Sequence, residues 1–168
     1  EKVKKGIPSP NIQYIINAAN SISKVIEPGN LVILESTSPV GTTEKIAELI
    51  SKKSGISNDL ISIAYCPERV LPGRALIEIS SNNRVVGGIN KNSEIKVKNF
   101  YESFCKGSVT TTDSRTAELV KLTENAYRDT NIAFANEISM VSSELGIDYE
   151  NVIKIANHHP RVNILKPG

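Results

Sequence analysis

Short apolar runs alternate with amphipathic segments over the first two thirds of the chain. Such runs are typical of strands that are buried on both faces of a parallel sheet, and the amphipathic segments repeat apolar residues at helical spacing. Strands that alternate with helices indicate a doubly wound α/β domain, and a helix between the first two strands implies that they are parallel. The predicted strands are 31–34, 60–66, 84–89 and 109–112, and the predicted helices are 9–26, 43–53 and 93–104.

One long segment, 113–145, contains neither Pro nor Gly and is followed at once by Gly146. Asp113 or Ser114 can cap its start, and Gly146 fits the left-handed position past its end. The segment therefore predicts one helix of about 33 residues, roughly 50 Å long. Its second half is apolar or small around most of its circumference, which is typical of a helix that partners bury. Asp148 predicts the start of one further helix.

These patterns predict an α/β fold in two parts. Residues 1–112 form the second half of a doubly wound, Rossmann-like parallel sheet domain, and 113–168 form a helical domain that begins with the long helix. Residues 1–10 are basic and contain Pro, which predicts a loop. The chain has no GxGxxG fingerprint, so we expect a phosphate-binding βαβ unit upstream of Glu1 and interpret the chain as a fragment of a longer protein.

Composition argues against several classes of function. The net charge is only +2 and no run of five like charges occurs, so a nucleic-acid binder is not expected. No apolar run approaches the length of a membrane span. Cys66 and Cys105 form no CxxC motif, so no metal site is expected, and two free thiols suit a reducing cytoplasm. Cys66 ends a predicted strand without a nearby His and is interpreted as a core thiol.

Polar clusters follow two of the predicted strands. Hydroxyl side chains occupy 36–38, and Pro67, Glu68 and Arg69 follow the next strand. In open parallel sheets, ligands bind beyond the carboxyl ends of the strands. The hydroxyls and the N–H groups of the next helix start can hold a water, a ribose or a phosphate, and Glu68 is a candidate general base. A hydroxyl-rich turn and a surface ion pair between Glu68 and Arg69 are the alternatives.

Polar residues also share one face of the long helix. Glu118, Lys121, Asn125 and Arg128 are three or four residues apart, so their side chains project from the same side. A Lys and an Asn one turn apart provide two hydrogen-bond donors that point the same way, which suits a developing oxyanion or a substrate hydroxyl. A solvated stripe of ion pairs is the alternative. A last cluster at 158–163 holds two His and an Arg that can bind an anionic or sugar-like ligand, unless it is a solvated turn.

Four segments together resemble one enzyme family. The resemblance is to the UDP-glucose/GDP-mannose dehydrogenases, and the second and fourth segments are most similar to members that act on UDP-N-acetyl-D-mannosamine. It implies a two-step, NAD-dependent oxidation of a nucleotide sugar at C6, from alcohol to carboxylate, through a thioester on a Cys expected beyond Gly168. The chain alone is therefore expected to be inactive. The segments are ESTSPVGTTE, YCPERVLPG, NNRVVGGI and ELVKLTENAYRDTNIAFANEIS.

The same resemblance implies roles for individual residues. Lys121 corresponds to the acid/base and oxyanion group, and Asn125 to its partner. Thr37 corresponds to a Thr beside the catalytic water and the nicotinamide, and Glu68 to a carboxylate that assists thioester hydrolysis. The long helix corresponds to a homodimerisation helix. The implied substrate contacts are Arg69, Val70, Lys121, Asn125, Arg128, His159 and Arg161, the two last reaching the neighbouring subunit.

The sequence leaves other functions open. A related dehydrogenase can act on UDP-glucose or another UDP-N-acetylhexosamine, and a non-catalytic dimerisation module would keep the long helix without using Lys121. A β-hydroxyacid or phosphogluconate-type dehydrogenase shares a Lys/Asn helix, but the Pro-Glu-Arg and His-Pro-Arg segments favour the nucleotide-sugar group. Where the wider family often has an acid, this chain has Pro72, so the resemblance does not carry a cofactor contact over to that position.

Overall fold

A four-stranded sheet with helices on both faces organises the first part of the chain. The computed structural model describes residues 2–4, 7–70 and 73–168, and the chain divides after Leu122 into two units. The elements in chain order are β1 (Lys2–Lys4), β2 (Ile7–Ser9), α1 (Gln13–Ile22), β3 (Leu31–Leu34), α2 (Thr42–Ser54), β4 (Ser62–Tyr65), α3 (Ala75–Ser81), β5 (Arg84–Gly88), α4 (Lys91–Glu102), β6 (Val109–Asp113), α5 (Ser114–Leu145) and α6 (Tyr149–Ala156).

The strands of the main sheet lie in the order β3-β4-β5-β6 and are mostly parallel. β3 pairs in parallel with β4 across α2, as predicted, and β5 pairs in parallel with β6 across α4. β4 and β5 are antiparallel, which the prediction of a parallel sheet did not include. The connection between them stays at one end of the sheet, because Arg84 at the start of β5 contacts Cys66, just past the end of β4, at 3.8 Å.

Helices cover both faces of this sheet, so the doubly wound architecture is confirmed. Alternate residues of β4 point to opposite faces: Ile63 and Tyr65 join the core under α1 and α2, whereas Ala64 joins the core under α4. Ala117, in the first turn of α5, belongs to the first core. The sheet therefore holds α2 and the start of α5 on the same side.

Three segments differ from their predicted form. Residues 1–10 were predicted as a loop, but β1 and β2 pair as an antiparallel hairpin. The short helix α3 was not predicted, because seven residues are too few to establish a helical period. α1 begins at Gln13, whose N–H donates to the Asn11 carboxamide at 3.1 Å. Pro72 lies outside the described residues.

The long helix and its flanking caps agree with the prediction. α5 is one continuous helix of 32 residues, and Gly146 beyond its end has a φ of +67°. Asp148 caps α6, since its carboxylate accepts a hydrogen bond from the Glu150 N–H at 3.0 Å. No helix in the described part of the chain has the length and apolarity needed to cross a bilayer.

Asp113→Ala is expected to lower the free energy of unfolding by about 1 kcal/mol at neutral pH, because it removes the cap of α5. Asp113 accepts hydrogen bonds from the hydroxyl and the N–H of Thr116, at 2.6 and 2.9 Å. These bonds hold the pKa of the Asp113 carboxyl below its usual value. The stabilisation is therefore present above the unfolded-state pKa and is lost as the pH falls through the folded-state pKa.

Urea denaturation at neutral pH, and at the lowest pH at which the protein stays folded, measures this cap. Asp113→Asn is the matched variant, because it keeps an acceptor but carries no charge. It is expected to cost less than the Ala variant and to show no pH dependence from this residue. An equal cost of the Ala variant at both pH values would contradict the assignment.

Candidate active site

The ammonium of Lys121 lies at the end of the parallel strand pair. Its Nζ donates to the main-chain carbonyl of Glu68 at 2.7 Å, and the Lys121 side chain is half-buried. Glu68 follows β4, so the long helix and the carboxyl end of the sheet meet here as the sequence predicted. Two candidate residues separated by 53 positions are thereby brought together.

The loop that contains Glu68 is held by its own side chain. Oε1 of Glu68 accepts hydrogen bonds from the N–H groups of Arg69 and Val70, each at 2.6 Å. Arg69 and Val70 are both half-buried, whereas Glu68 is exposed. The carboxylate therefore lies against its own loop, and Lys121 contacts the main-chain carbonyl of Glu68 instead of this carboxylate.

The loop after β3 is joined to the loop after β4 by the main chain. The Glu68 N–H donates to the Glu35 carbonyl at 3.2 Å, and Thr37 lies two residues further on and is exposed. The Glu35 carboxylate accepts a hydrogen bond from the Tyr101 hydroxyl at 2.8 Å, which ties this loop to α4. Both strand-end clusters thus belong to one connected edge of the sheet.

The start of α2 is not available to a phosphate, which is one of the ligands that the sequence analysis allowed there. The N–H groups of Gly41 and Thr43 donate to the carboxylate of Glu118, at 2.5 and 2.7 Å. The Thr43 hydroxyl donates to the same carboxylate at 2.7 Å. The positive end of α2 is therefore occupied by an acid of this chain.

Glu118 consequently does not belong to the polar face on which the sequence placed it with Lys121. Its side chain is fully buried, whereas Lys121 is half-buried. Helical spacing identified the side of α5 from which Glu118 projects, but its partners lie 75 and 77 positions away. No local pattern encodes a contact of that separation, so the sequence analysis named Glu118 but missed its burial and its partners.

The remaining candidate residues belong to the second unit. Asn125 follows Lys121 by one turn of α5 and is half-buried, and its carboxamide oxygen accepts a hydrogen bond from Arg128 at 3.4 Å. Arg128 is exposed. His159 and Arg161 lie in the exposed turn after α6, where the Arg161 N–H donates to Nδ1 of His159 at 3.3 Å. Within this unit the structure pairs Asn125 with Arg128 and His159 with Arg161.

Cys66 has the environment of a core thiol. Its side chain is buried against Arg84 and Tyr101, and burial raises the pKa of the thiol, although hydrogen bonds with Tyr101 and Arg84 partly oppose the rise. Arg84 also lies 4.6 Å from the centre of the Tyr101 ring. A thiol whose ionisation is disfavoured is a poor nucleophile. The interpretation of Cys66 as structural is therefore supported by its surroundings.

Comparison with known proteins shows which family this chain resembles. Residues 2–105 match the NAD binding domain of the UDP-glucose/GDP-mannose dehydrogenase family, and residues 115–168 match its central domain. The UDP-N-acetyl-D-mannosamine dehydrogenase of Methanococcus vannielii is 51% identical over 158 residues, covering 94% of this chain and 35% of that protein. The Escherichia coli K12 enzyme of the same name is 48% identical over 173 residues, covering 98% and 41%.

A solved structure shares the fold of nearly the whole chain. The UDP-D-ManNAc dehydrogenase from Pyrococcus horikoshii is 41% identical and superposes with a TM-score of 0.91, covering 95% of this chain and 38% of that chain. The chain thus spans 35% to 41% of the lengths of these relatives. Because two domains of the same family together match almost all of its residues, the chain belongs to the UDP-glucose/GDP-mannose dehydrogenase family.

Proposed function

We propose that this chain is part of an NAD-dependent enzyme that oxidises UDP-N-acetyl-D-mannosamine to UDP-N-acetyl-D-mannosaminuronate in two steps. The observation that carries the proposal is the Lys121 ammonium at 2.7 Å from the Glu68 carbonyl, beyond the carboxyl end of a parallel strand pair. Ligands of open α/β sheets bind at this edge. The names of the relatives that are 48% and 51% identical support this choice of substrate.

Lys121 acts as the acid/base and oxyanion group in this proposal. Its ammonium already makes one hydrogen bond to a neutral carbonyl, and substrate binding replaces or supplements that bond with one to the oxygen on C6. The same nitrogen exchanges a proton with that oxygen, a task for which Lys is suited and Arg is not. Asn125, one turn later on α5, donates a second hydrogen bond to the substrate.

Glu68 assists the later hydrolysis step, in which water attacks the thioester on the catalytic Cys. The two N–H donors on its Oε1 hold the carboxylate at the sheet edge, where it can accept a proton from that water. Thr37 orients the same water through its exposed hydroxyl. Arg69 and Val70 are proposed contacts of the nucleotide sugar in the first unit, and Arg128 is a proposed substrate contact in the second.

NAD, when bound, would supply the hydride acceptor for the oxidation at C6. The described residues fit only one end of this cofactor. Thr37 is exposed in the loop after β3 and suits the nicotinamide side. The α2 start, filled by Glu118, does not provide the usual helix site for the pyrophosphate. We propose a domain boundary at 112, with 1–112 contributing part of the NAD-binding domain and 113–168 the central domain. The family matches at 2–105 and 115–168 support this boundary.

The enzyme is proposed to be a homodimer through 113–145, with His159 and Arg161 reaching the substrate of the neighbouring subunit. The support is a set of large apolar side chains on α5 that are at least half exposed in the single chain. A helix with such a surface needs a partner. The mass of the full-length protein in solution checks this, and a monomer would contradict it. The exposed residues are Leu119, Tyr127, Phe134, Met140, Val141 and Leu145.

Stoichiometry tests the proposed reaction. The full-length enzyme supplied with NAD and UDP-N-acetyl-D-mannosamine is expected to form two NADH for each uronate, because alcohol and aldehyde are oxidised in turn. Absorbance measures NADH, and mass spectrometry measures the product. UDP-glucose, supplied in parallel, is expected to turn over more slowly. One NADH per sugar would contradict the two-step reaction, and faster turnover of UDP-glucose would contradict the substrate.

A further inference from the structure

The fully buried carboxylate of Glu118 has no part in the proposed chemistry. Its Oε2 accepts the Gly41 N–H at 2.5 Å, and its Oε1 accepts the N–H and the hydroxyl of Thr43, both at 2.7 Å. Burial of a charged carboxylate is costly unless such bonds satisfy it. The negative charge also lies at the positive end of α2. Glu118 is therefore a strong, charge-assisted link between α5 and α2.

This link joins the two segments that carry the proposed catalytic groups. Gly41 ends the loop that contains Thr37, and Lys121 follows Glu118 by three residues on the same helix. Two of the three donors are main-chain N–H groups, so the carboxylate holds the backbone at the end of the loop and in the first turn of α2. Rotation or translation of α5 would move Glu118 and Lys121 together and break these bonds.

We propose that Glu118 is a positioning residue of the dehydrogenase reaction, which holds the Lys121 ammonium in register with the Thr37 loop. This inference rests on the proposed function, since it assigns Glu118 an effect on the rate only through Lys121 and Thr37. The carboxylate touches neither substrate nor cofactor. Glu118 affects only the geometry of the site. A displacement of a catalytic group by about 1 Å, caused by a substitution away from the chemistry, can reduce a rate by about 100-fold.

A carboxylate is the group that this position requires. Glutamine has nearly the same shape, but it has one oxygen for three donors, and its NH2 group would face an N–H of Gly41 or Thr43. Glu118→Gln therefore removes the negative charge at nearly constant volume and breaks the hydrogen bonds to either Gly41 or Thr43. Glu118→Gln consequently tests the geometry without opening a cavity in the core.

The experiment compares Glu118→Gln with Asn90→Ala in the full-length enzyme. Asn90 caps α4 by accepting the Ser93 N–H at 2.8 Å, and it follows β5 at the end of the sheet opposite Glu68. Its loss weakens a helix start without contact to Lys121 or Thr37. Both variants are measured for melting temperature, kcat, and KM for the nucleotide sugar and for NAD.

Glu118→Gln is expected to lower kcat by about 100-fold with both KM values within about twofold of wild type, the pattern of a lost transition-state arrangement. Asn90→Ala is expected to keep the wild-type kcat despite a lower melting temperature. A wild-type kcat in Glu118→Gln, an equal loss of kcat in both variants, or a loss confined to KM would overturn the proposal.

Thr43→Val decides the matter if Glu118→Gln does not fold. It removes only the hydroxyl donor and keeps both main-chain bonds, and it conserves volume. It is expected to lower kcat below that of Asn90→Ala, and an unchanged kcat would overturn the proposal. Lys121→Ala distinguishes a failure of the proposed function from a failure of the positioning role. If Lys121→Ala keeps the wild-type kcat, the proposed function fails. If Lys121→Ala loses activity but the Glu118 and Thr43 variants have the same kcat as Asn90→Ala, only the positioning role fails.

Discussion

Lys121→Ala is expected to lower kcat of the full-length enzyme about 1000-fold, within the range for loss of a general acid/base group. The ammonium lies at the sheet edge, 2.7 Å from the Glu68 carbonyl, and methyl cannot exchange a proton or stabilise an oxyanion. The fold is expected to persist, because the Lys121 side chain is only half-buried. The variant should therefore keep the wild-type oligomeric state.

Two further variants make this test specific. Lys121→Arg keeps the positive charge but cannot release a proton near neutral pH, so it is expected to remain far below wild type. Lys96→Ala is the matched control, since Lys96 also donates its ammonium to a main-chain carbonyl, that of Gly29, and lies on α4. It is expected to keep wild-type turnover. Wild-type turnover in Lys121→Ala would favour the non-catalytic dimerisation module instead.

The elements that the sequence predicted well are those with a strong local signal. Leu31–Leu34 is an uninterrupted apolar run with Gly29 and Asn30 before it and polar residues after it, and β3 has these same bounds. α5 was predicted to within one residue, because 113–145 has no helix breaker and Gly146 terminates it. Hydrophobic periodicity together with start and stop signals is sufficient to predict such segments.

The features that sequence reasoning missed depend on contacts between distant residues. Spacing placed Glu118 and Lys121 on one face of a helix, yet the first is fully buried against α2 and the second meets the Glu68 loop. The antiparallel orientation of β5 depends on the path of the preceding loop. Hydrophobic periodicity predicts that a strand forms but not its orientation in the sheet. The pairing of Lys121 with a main-chain carbonyl, rather than with the Glu68 carboxylate, is likewise a tertiary detail.

Gly87→Ala is expected to lower the free energy of unfolding by about 3 kcal/mol, at the upper end of the usual cost of overpacking. A Cβ at Gly87 would lie 2.5 Å from the Asp113 carbonyl oxygen and 2.7 Å from the Ala117 Cβ. The first of these atoms belongs to the main chain at the start of α5 and cannot rotate away. The helix must therefore move from β5, and its displacement carries Glu118 and Lys121 with it.

Urea denaturation and kcat of the full-length enzyme measure the two consequences. Gly29→Ala is the control, because Gly29 has a φ of +88° but no atom lies within 4 Å of where its added Cβ would stand, so only a conformational cost of about 1 kcal/mol is expected. Its kcat should equal that of wild type, whereas Gly87→Ala should lose activity as well as stability.

A second substitution tests whether the clash acts through α5. Ala117→Gly in the Gly87→Ala background removes the Cβ contact at 2.7 Å but leaves the Asp113 carbonyl at 2.5 Å, so it is expected to restore only part of the stability and of kcat. Full restoration would show that the side-chain contact alone holds the helix away. Equal stability of Gly87→Ala and Gly29→Ala would contradict the close approach of α5 to β5, and with it the geometry that places Lys121 at the edge of the sheet.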